Sequence, residues 1–337
     1  EMLRSLVGSE MCIRDRPSSA LKRRTRLLRP SMNTPERDTA MSEEILINIT
    51  PMESRVAVVE NGVLQEVHVE RTQRRGIVGN IYKGKVVRVL PGMQAAFVDI
   101  GLDRAAFIHA SEISTREGTA VESISALVHE GQSLVVQVTK DPIGSKGARL
   151  TTQLSIPSRY LVYMPRTAHV GISLKIEDEA ERERLKQVVS DCVAQEGIKE
   201  AGGFILRTAA EGAGADEIMM DIRYLRRLWD QIGAQIKTIG APNVIYEDLG
   251  LALRTLRDLV SPKIEKIRID SRETFQKTTV FVAELMPEIA DRLEHYPGER
   301  PIFDLYGVED EIQKALERKV PLKSGGYLVV DLSLIHI

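Results

Sequence analysis

The sequence predicts an α+β multidomain protein, and three observations predict it. Short β-branched runs broken by Gly84, Gly92 and Gly101 fill residues 77–110, at the roughly 8–12-residue spacing of a small barrel. Apolar residues then recur at helical period in 184–193 and 222–238. Strand and helix patterns alternate from 263 to 331.

Residues 1–40 hold no sustained period and carry a basic run, Lys22-Arg23-Arg24-Thr25-Arg26; their apolar segments are too short for a signal peptide. They are expected to be disordered and non-native, with Met41 the true start; SLVGSEMCIRDR and the terminal LSLIHI (332–337) read as junction sequence. Strands are expected at 44–49 and 55–60. Asn61-Gly62 is then a type I′ hairpin signal leading into VLQEVHVE. After the barrel run, 132–138 and 149–155 add strands around the Gly/Lys loop DPIGSKGA. In 184–193 the stripe is Leu185, Val188, Val189, Cys192 and Val193, which makes Cys192 a core residue. FILRTA (204–209) is a strand. The 222–238 helix turns Leu225, Leu228, Trp229, Ile232 and Ile236 inward and Arg223, Arg226 and Arg227 outward. A helix near 248–259, a strand at 263–270, helices at 271–286 and 308–318 and a strand at 326–331 complete the pattern. That last strand is expected to be an exposed edge, cut off mid-sheet.

Length and composition bound the function. A chain of 337 residues allows about two domains, and 43% apolar with 28% charged residues is ordinary for a protein with a real core. No stretch approaches the ~20 apolar residues of a membrane-spanning helix. Two cysteines, Cys12 and Cys192, exclude a disulfide scaffold and a cysteine-based metal site. The net charge is −2, but residues 1–40 carry nine Lys and Arg against five Asp and Glu, which leaves −6 for the rest. A nucleic-acid site in so acidic a body must be a local patch.

The barrel run supplies such a patch. Phe97 and Phe107 stand ten residues apart on consecutive strands, with Lys83, Lys85 and Arg88 nearby, in a chain holding only 15 Phe, Trp and Tyr. Aromatic faces on a small barrel stack unpaired bases while cations hold the phosphates; the other reading of a strand Phe is core. The order Gly-x-Val, Ala-Phe-Val-Asp-Ile-Gly, Ala-Phe-Ile-His-Ala-Ser-Glu-Ile resembles the S1-type oligonucleotide-binding fold. His109 has no second His or Cys at metal spacing, so it reads as a barrel-rim residue, and Asp99 serves the turn at Gly101. GSKGA (144–148) and EGAGADE (211–217) fit neither phosphate-loop pattern. Arg207-Thr208 offers a guanidinium fork beside a hydroxyl, a grip for a terminal phosphate. Plain surface placement is the other reading.

The strings 41–71, 74–113, KGARLTTQLSIPSRYLVYMP, GGFILRTAAEG and PIFDLYGVEDEIQKALERKVPLKSGGYLVVD together resemble the bacterial ribonuclease E/G family over about 41–331. The resemblance implies an RNase H-like subdomain (41–76 and 249–300) interrupted by an S1 RNA-binding domain (77–155). A 5′-sensor region (156–248) and the start of a DNase I-like catalytic subdomain (301–331) follow. Asp270 and Glu273 are then structural. Carried over residue by residue, Phe97, Phe107 and Lys146 match RNA-binding positions. Arg207, Thr208 and Val162 match those that bind a 5′-monophosphate, and Ser158 stands where the family has a glycine, still able to offer its backbone N–H. The family cuts single-stranded RNA with Mg²⁺ held by two carboxylates, matures ribosomal RNA 5′ ends, turns RNA over in the cytoplasm, and joins protomers through a two-cysteine Zn²⁺ link. The segment bearing the first carboxylate follows SGGYLVVD; here LSLIHI stands instead, and Asp331 does not match the metal position. The resemblance thus implies an RNA-binding portion without cleavage. The alternative is an S1 protein that never had an active site.

Overall fold

The computed structural model describes residues 43–113, 123–196, 202–261, 263–322 and 324–331. Both ends expected to be non-native, Cys12 included, lie outside them.

The chain opens with a meander: β1 (Glu43–Ile49), β2 (Glu53–Glu60) and β3 (Val63–Arg71), antiparallel in turn. Asn61 and Gly62 turn the second hairpin with φ of 50° and 78°, the positive pair a type I′ turn requires. Ile45, Leu46 and Ile47 are all fully buried, the mark of a central strand covered on both faces.

A closed barrel follows: β4 (Ile81–Leu90), β5 (Ala95–Asp99), β6 (Ala106–His109), a short α1 (Ile124–Leu127), β7 (Ser133–Lys140) and β8 (Arg149–Thr151). The strands run β4-β5-β6-β8-β7, and a β4–β7 ladder closes the ring. Alternate residues (Val86, Ala96, Val98, Ile108, Val136, Leu150) fill its interior. Gly84 permits this closeness, because a Cβ there would stand 2.5 Å from the Val98 side chain.

Next come β9 (Ile156–Pro157), β10 (Leu161–Met164), β11 (Val170–Ile172), α2 (Glu179–Gln195), β12 (Gly203–Leu206) and α3 (Ala215–Thr238), with β13 (Asn243–Tyr246) joining the barrel beside β4. The sheet β11-β12-β10-β9 packs on α2 and α3 through Leu185, Val189, Cys192, Phe204, Leu225 and Leu228. Helix α3 starts seven residues before its predicted first residue. The Glu217 side chain accepts from the Gly214 N–H at 3.0 Å, and buried Ile218 and Asp221 extend the inward stripe.

The chain then returns to its first sheet with α4 (Leu251–Leu259), β14 (Ile264–Ile269), α5 (Arg272–Leu285) and β15 (Leu293–His295). β14 lies parallel to β1, and β15 parallel to β14. Ile45 and Ile47 pack with Leu256 and Val282 of α4 and α5. Leu46 faces the other way, onto Phe303 and Val308 of α6 (Ile302–Leu305) and α7 (Val308–Ala315). The predicted final strand is shorter than expected and belongs to a two-stranded hairpin, β16 (Lys319–Pro321) with β17 (Tyr327–Val329), in which Tyr327, Leu328 and Val329 are exposed. Among the described residues no helix is long and apolar enough to cross a membrane.

Candidate nucleic-acid interface

The barrel sorts its residues by alternation. Ala96, Val98, Ala106 and Ile108 are fully buried, so Phe97 and Phe107 between them project from the outer face, each half-buried. The core reading of the two rings is therefore set aside. They stand opposite each other in the β5–β6 register, centroids 6.2 Å apart and planes at 69°, an edge-to-face pair. Arg88 is the β4 partner of Phe97, and Lys85 is the partner of Asp99; both cations are exposed. The 141–148 loop joins this face because the Phe107 N–H donates to the Ala148 carbonyl at 2.7 Å. Lys146 sits exposed two residues before Ala148, in a turn closed by reciprocal bonds with Ile143.

Lys83 belongs elsewhere. Its ammonium donates to the carbonyls of Ile236 (2.9 Å) and Ile239 (2.7 Å) at the C-terminal end of α3, where a cation meets the negative end of the helix dipole. It docks the barrel on the neighbouring helix and is no phosphate contact. Sequence reasoning missed Arg149, which lies next to Phe107 through the parallel β6–β8 pairing and bonds Glu112 at 3.1 Å. Nothing in a 42-residue separation signals that neighbourhood. His109 Nδ1 accepts from the Ser111 N–H at 3.2 Å at the barrel rim, and Asp99 accepts from the Gly101 N–H at 2.9 Å.

The second region lies where β10 and β12 end. Val162 faces Ile205 in the ladder; two rungs on, the Arg207 N–H donates to the Tyr160 carbonyl at 2.8 Å. The Arg207 guanidinium donates through Nη1 to the carbonyls of Ser158 (2.6 Å) and Arg159 (3.4 Å). It borders a cleft of about 450 Å³ with Arg159, Tyr160, Glu211, Glu217 and Asp258. Thr208 is exposed, and its hydroxyl lies 3.2 Å from that of Ser173. Val162 and Thr208 do not line this cleft.

Ser158 requires a correction. It is fully buried, its N–H donates to the Leu161 carbonyl at 2.7 Å, and its hydroxyl donates to Asp221 at 2.6 Å. It has no N–H to offer a ligand; what it contributes is the carbonyl that holds Arg207. Asp221 also accepts from the N–H groups of Tyr160 (2.7 Å) and Leu161 (3.2 Å). Burial pushes its carboxyl above the usual range, and those hydrogen bonds oppose the rise. One turn earlier on α3, Glu217 accepts from the Tyr160 hydroxyl at 2.8 Å. Burial, reinforced by that bond, pushes the Tyr160 phenol up to about 12. The Arg159 guanidinium rests 4.8 Å from the centroid of the Tyr160 ring and donates to the Val260 carbonyl at 2.7 Å.

Asp270 takes the Asn48 side-chain amide (2.5 Å) and the Ile49 N–H (3.0 Å), which ties β14 to β1. Glu273 pairs with Lys277 at 2.7 Å on the exposed start of α5, and Asp331 pairs with Arg318 at 2.7 Å. Cys192 is buried in the core, where burial pushes its thiol up. Among the described residues no group of three or more His, Cys, Asp or Glu is placed to hold a metal.

A closed five-stranded barrel presenting two aromatic rings among cations is the architecture of a single-strand-binding module. Residues 77–141 match the S1 RNA binding domain, and residues 155–333 match the Ribonuclease E/G family. The chain belongs to the ribonuclease E/G family. It is 55% identical over 300 residues to Ribonuclease G of Escherichia coli K12, an alignment covering 86% of this chain and 60% of that relative. Against Ribonuclease G of Haemophilus influenzae the identity is 51% over 297 residues, with the same coverage. Ribonuclease E of Haemophilus influenzae is 35% identical over 301 residues, which cover 86% of this chain and 31% of that protein. The chain thus spans about 60% of the length of the ribonuclease G relatives it matches.

Proposed function

We propose that this chain is the RNA-binding and 5′-end-sensing portion of a Mg²⁺-dependent, single-strand endoribonuclease of the ribonuclease G type. Its place is ribosomal RNA 5′-end maturation and RNA decay in the cytoplasm, and the complete protein is a homodimer or higher homo-oligomer. The observation that carries the reading is the outward Phe97–Phe107 pair, with Lys85, Arg88 and Lys146 on the same module. Base stacking there contributes about 1–3 kcal/mol per base, and the cations track the phosphates.

In this reading the mixed sheet β15-β14-β1-β2-β3 is the RNase H-like core, split by the barrel, and residues 301–331 begin the DNase I-like subdomain. Arg207 and Thr208 take the 5′-monophosphate, with Val162 beside them. Arg207 spends one nitrogen on backbone carbonyls, which fixes the plane of its fork. In this reading the portion binds RNA through the barrel face and Arg207 and does not itself cut it.

The test is fluorescence anisotropy with an A/U-rich single-stranded decamer bearing either a 5′-monophosphate or a 5′-hydroxyl, with Mg²⁺ present, followed by a gel for cleavage. The expected result is tighter binding of the monophosphorylated strand and intact RNA on the gel. Equal affinity for the two ends would refute the sensor, and Mg²⁺-dependent cleavage would refute the non-cutting portion of the reading.

A further inference from the structure

We infer that a cleft behind Arg159 and Tyr160 receives the base of the RNA's 5′-terminal nucleotide; this rests on Arg207 being the 5′-phosphate site. The cleft lies between α3 and the 285–292 segment, and Arg159, Tyr160 and Glu217 line both it and the cleft at Arg207. A phosphate held by Arg207, whose guanidinium already reaches the Arg159 carbonyl, stands at its entrance.

The volume, about 210 Å³, is below the roughly 300–1,000 Å³ of sites that enclose a whole small ligand, so it suits a fragment such as a single flat base. Met220 and Met286 present polarizable thioethers, favourable partners for an aromatic ring. Tyr224 also lines the cleft. It is 4% exposed, and its hydroxyl is buried with no hydrogen-bond partner. Burial pushes that phenol far above its ordinary value, so it is a donor at every working pH. The guanidinium groups on the same wall, Arg159, Arg257 and Arg292, already bond the Val260 carbonyl, Asp258 and the Ser261 carbonyl, so the unpartnered Tyr224 hydroxyl is the donor left for a planar ligand carrying an acceptor, which every nucleobase does. The Glu217 carboxylate at the shared wall faces the exocyclic amino group of a base that has one.

The experiment measures anisotropy of the full chain with three A/U-rich decamers: 5′-monophosphorylated and intact, 5′-monophosphorylated but abasic at the first nucleotide, and 5′-hydroxylated and intact. The abasic strand is expected to bind about tenfold more weakly than its intact counterpart, the scale of one lost stacking contact. Tyr224→Phe is expected to weaken the intact monophosphorylated strand by about three- to tenfold and the abasic strand not at all. Its Tm is expected to be unchanged or higher, since the hydroxyl has no partner in the free protein. Preference for the 5′-phosphate together with equal binding of intact and abasic strands overturns the cleft assignment and leaves the sensor standing. Equal binding of 5′-phosphate and 5′-hydroxyl strands overturns the sensor itself. A fall in Tm for Tyr224→Phe would mean the hydroxyl already serves the fold, and that too overturns the assignment.

Discussion

Phe97→Ala separates the two roles a strand phenylalanine plays. The ring is half-buried on the outer barrel face and touches Phe107 edge-on. Removing it forfeits that pair, worth about 0.5–1.5 kcal/mol, and a share of its burial. The stability loss should therefore stay near 1–2 kcal/mol, well below the roughly 3–5 kcal/mol of a fully buried phenylalanine. In melting terms that is a fall of a few degrees. The binding loss is set by stacking, about 1–3 kcal/mol, or roughly 5- to 150-fold in Kd. Anisotropy with a single-stranded decamer reads the second number, and a thermal melt reads the first. A salt titration adds a third arm: the ring is uncharged, so log Kd against log salt should keep its slope. Arg88→Ala should flatten that slope by about 0.7 if Arg88 holds one phosphate of a single strand. Loss of more than 3 kcal/mol of stability with unchanged affinity would refute the platform and return Phe97 to the core.

Three further outcomes are expected. Arg207→Ala should reduce the preference for 5′-monophosphorylated over 5′-hydroxyl RNA by about 1.5–3 kcal/mol, the value of charged hydrogen bonds, read as the ratio of the two Kd values. Lys83→Met should lower stability by about 0.3–2 kcal/mol, through the lost cation at the end of α3, and leave RNA affinity unchanged; a loss of affinity at constant stability would restore Lys83 as a phosphate contact. Glu181 is held down to about 2, first by its hydrogen bond from Arg184 and then by the Gly212 N–H. A carboxyl lowered in the folded state contributes stability above its unfolded value of 4.5 and loses it as pH falls toward about 2. Thermal melts of the wild type and Glu181→Gln should therefore differ near neutrality and converge across that acid window; a constant gap would show that the Arg184 bond is not what matters.

Much of this was legible in the chain because it is local. The Asn61-Gly62 turn, the barrel's glycines and the inward stripe of 184–193 each declare themselves within a dozen residues, through φ preference or period. What escaped notice depends on distant pairing. Lys83 reads as a surface cation in its own strand, and only the docking of α3, more than 150 residues later, gives it two carbonyls. Ser158 reads as a free polar group beside a phosphate site, and only Asp221 on another element makes it a buried support. The start of α3 was hidden because Gly214 and the acidic run after it look like loop until the Glu217 side chain is seen closing the first turn. Arg207 was visible as chemistry but not as geometry, since its fork is aimed by carbonyls that carry no sequence signal.

The first sheet carries a consequence for the order of events at the ribosome. β1 needs β14 on one side, yet more than 200 residues separate them. At about 5–20 residues per second, roughly 10–40 s pass between the emergence of the two strands. Through that interval the meander β1–β3 stands with an unpaired inner edge and two uncovered apolar faces, while the β4–β7 ladder that closes the barrel and the side chains that fill it all lie within residues 81–151. The insertion is thus a timer: the nascent chain presents a finished RNA-binding module before the scaffold around it exists. Charged Glu43, Glu44, Glu53 and Glu60 on the waiting strands oppose their pairing with a second nascent copy.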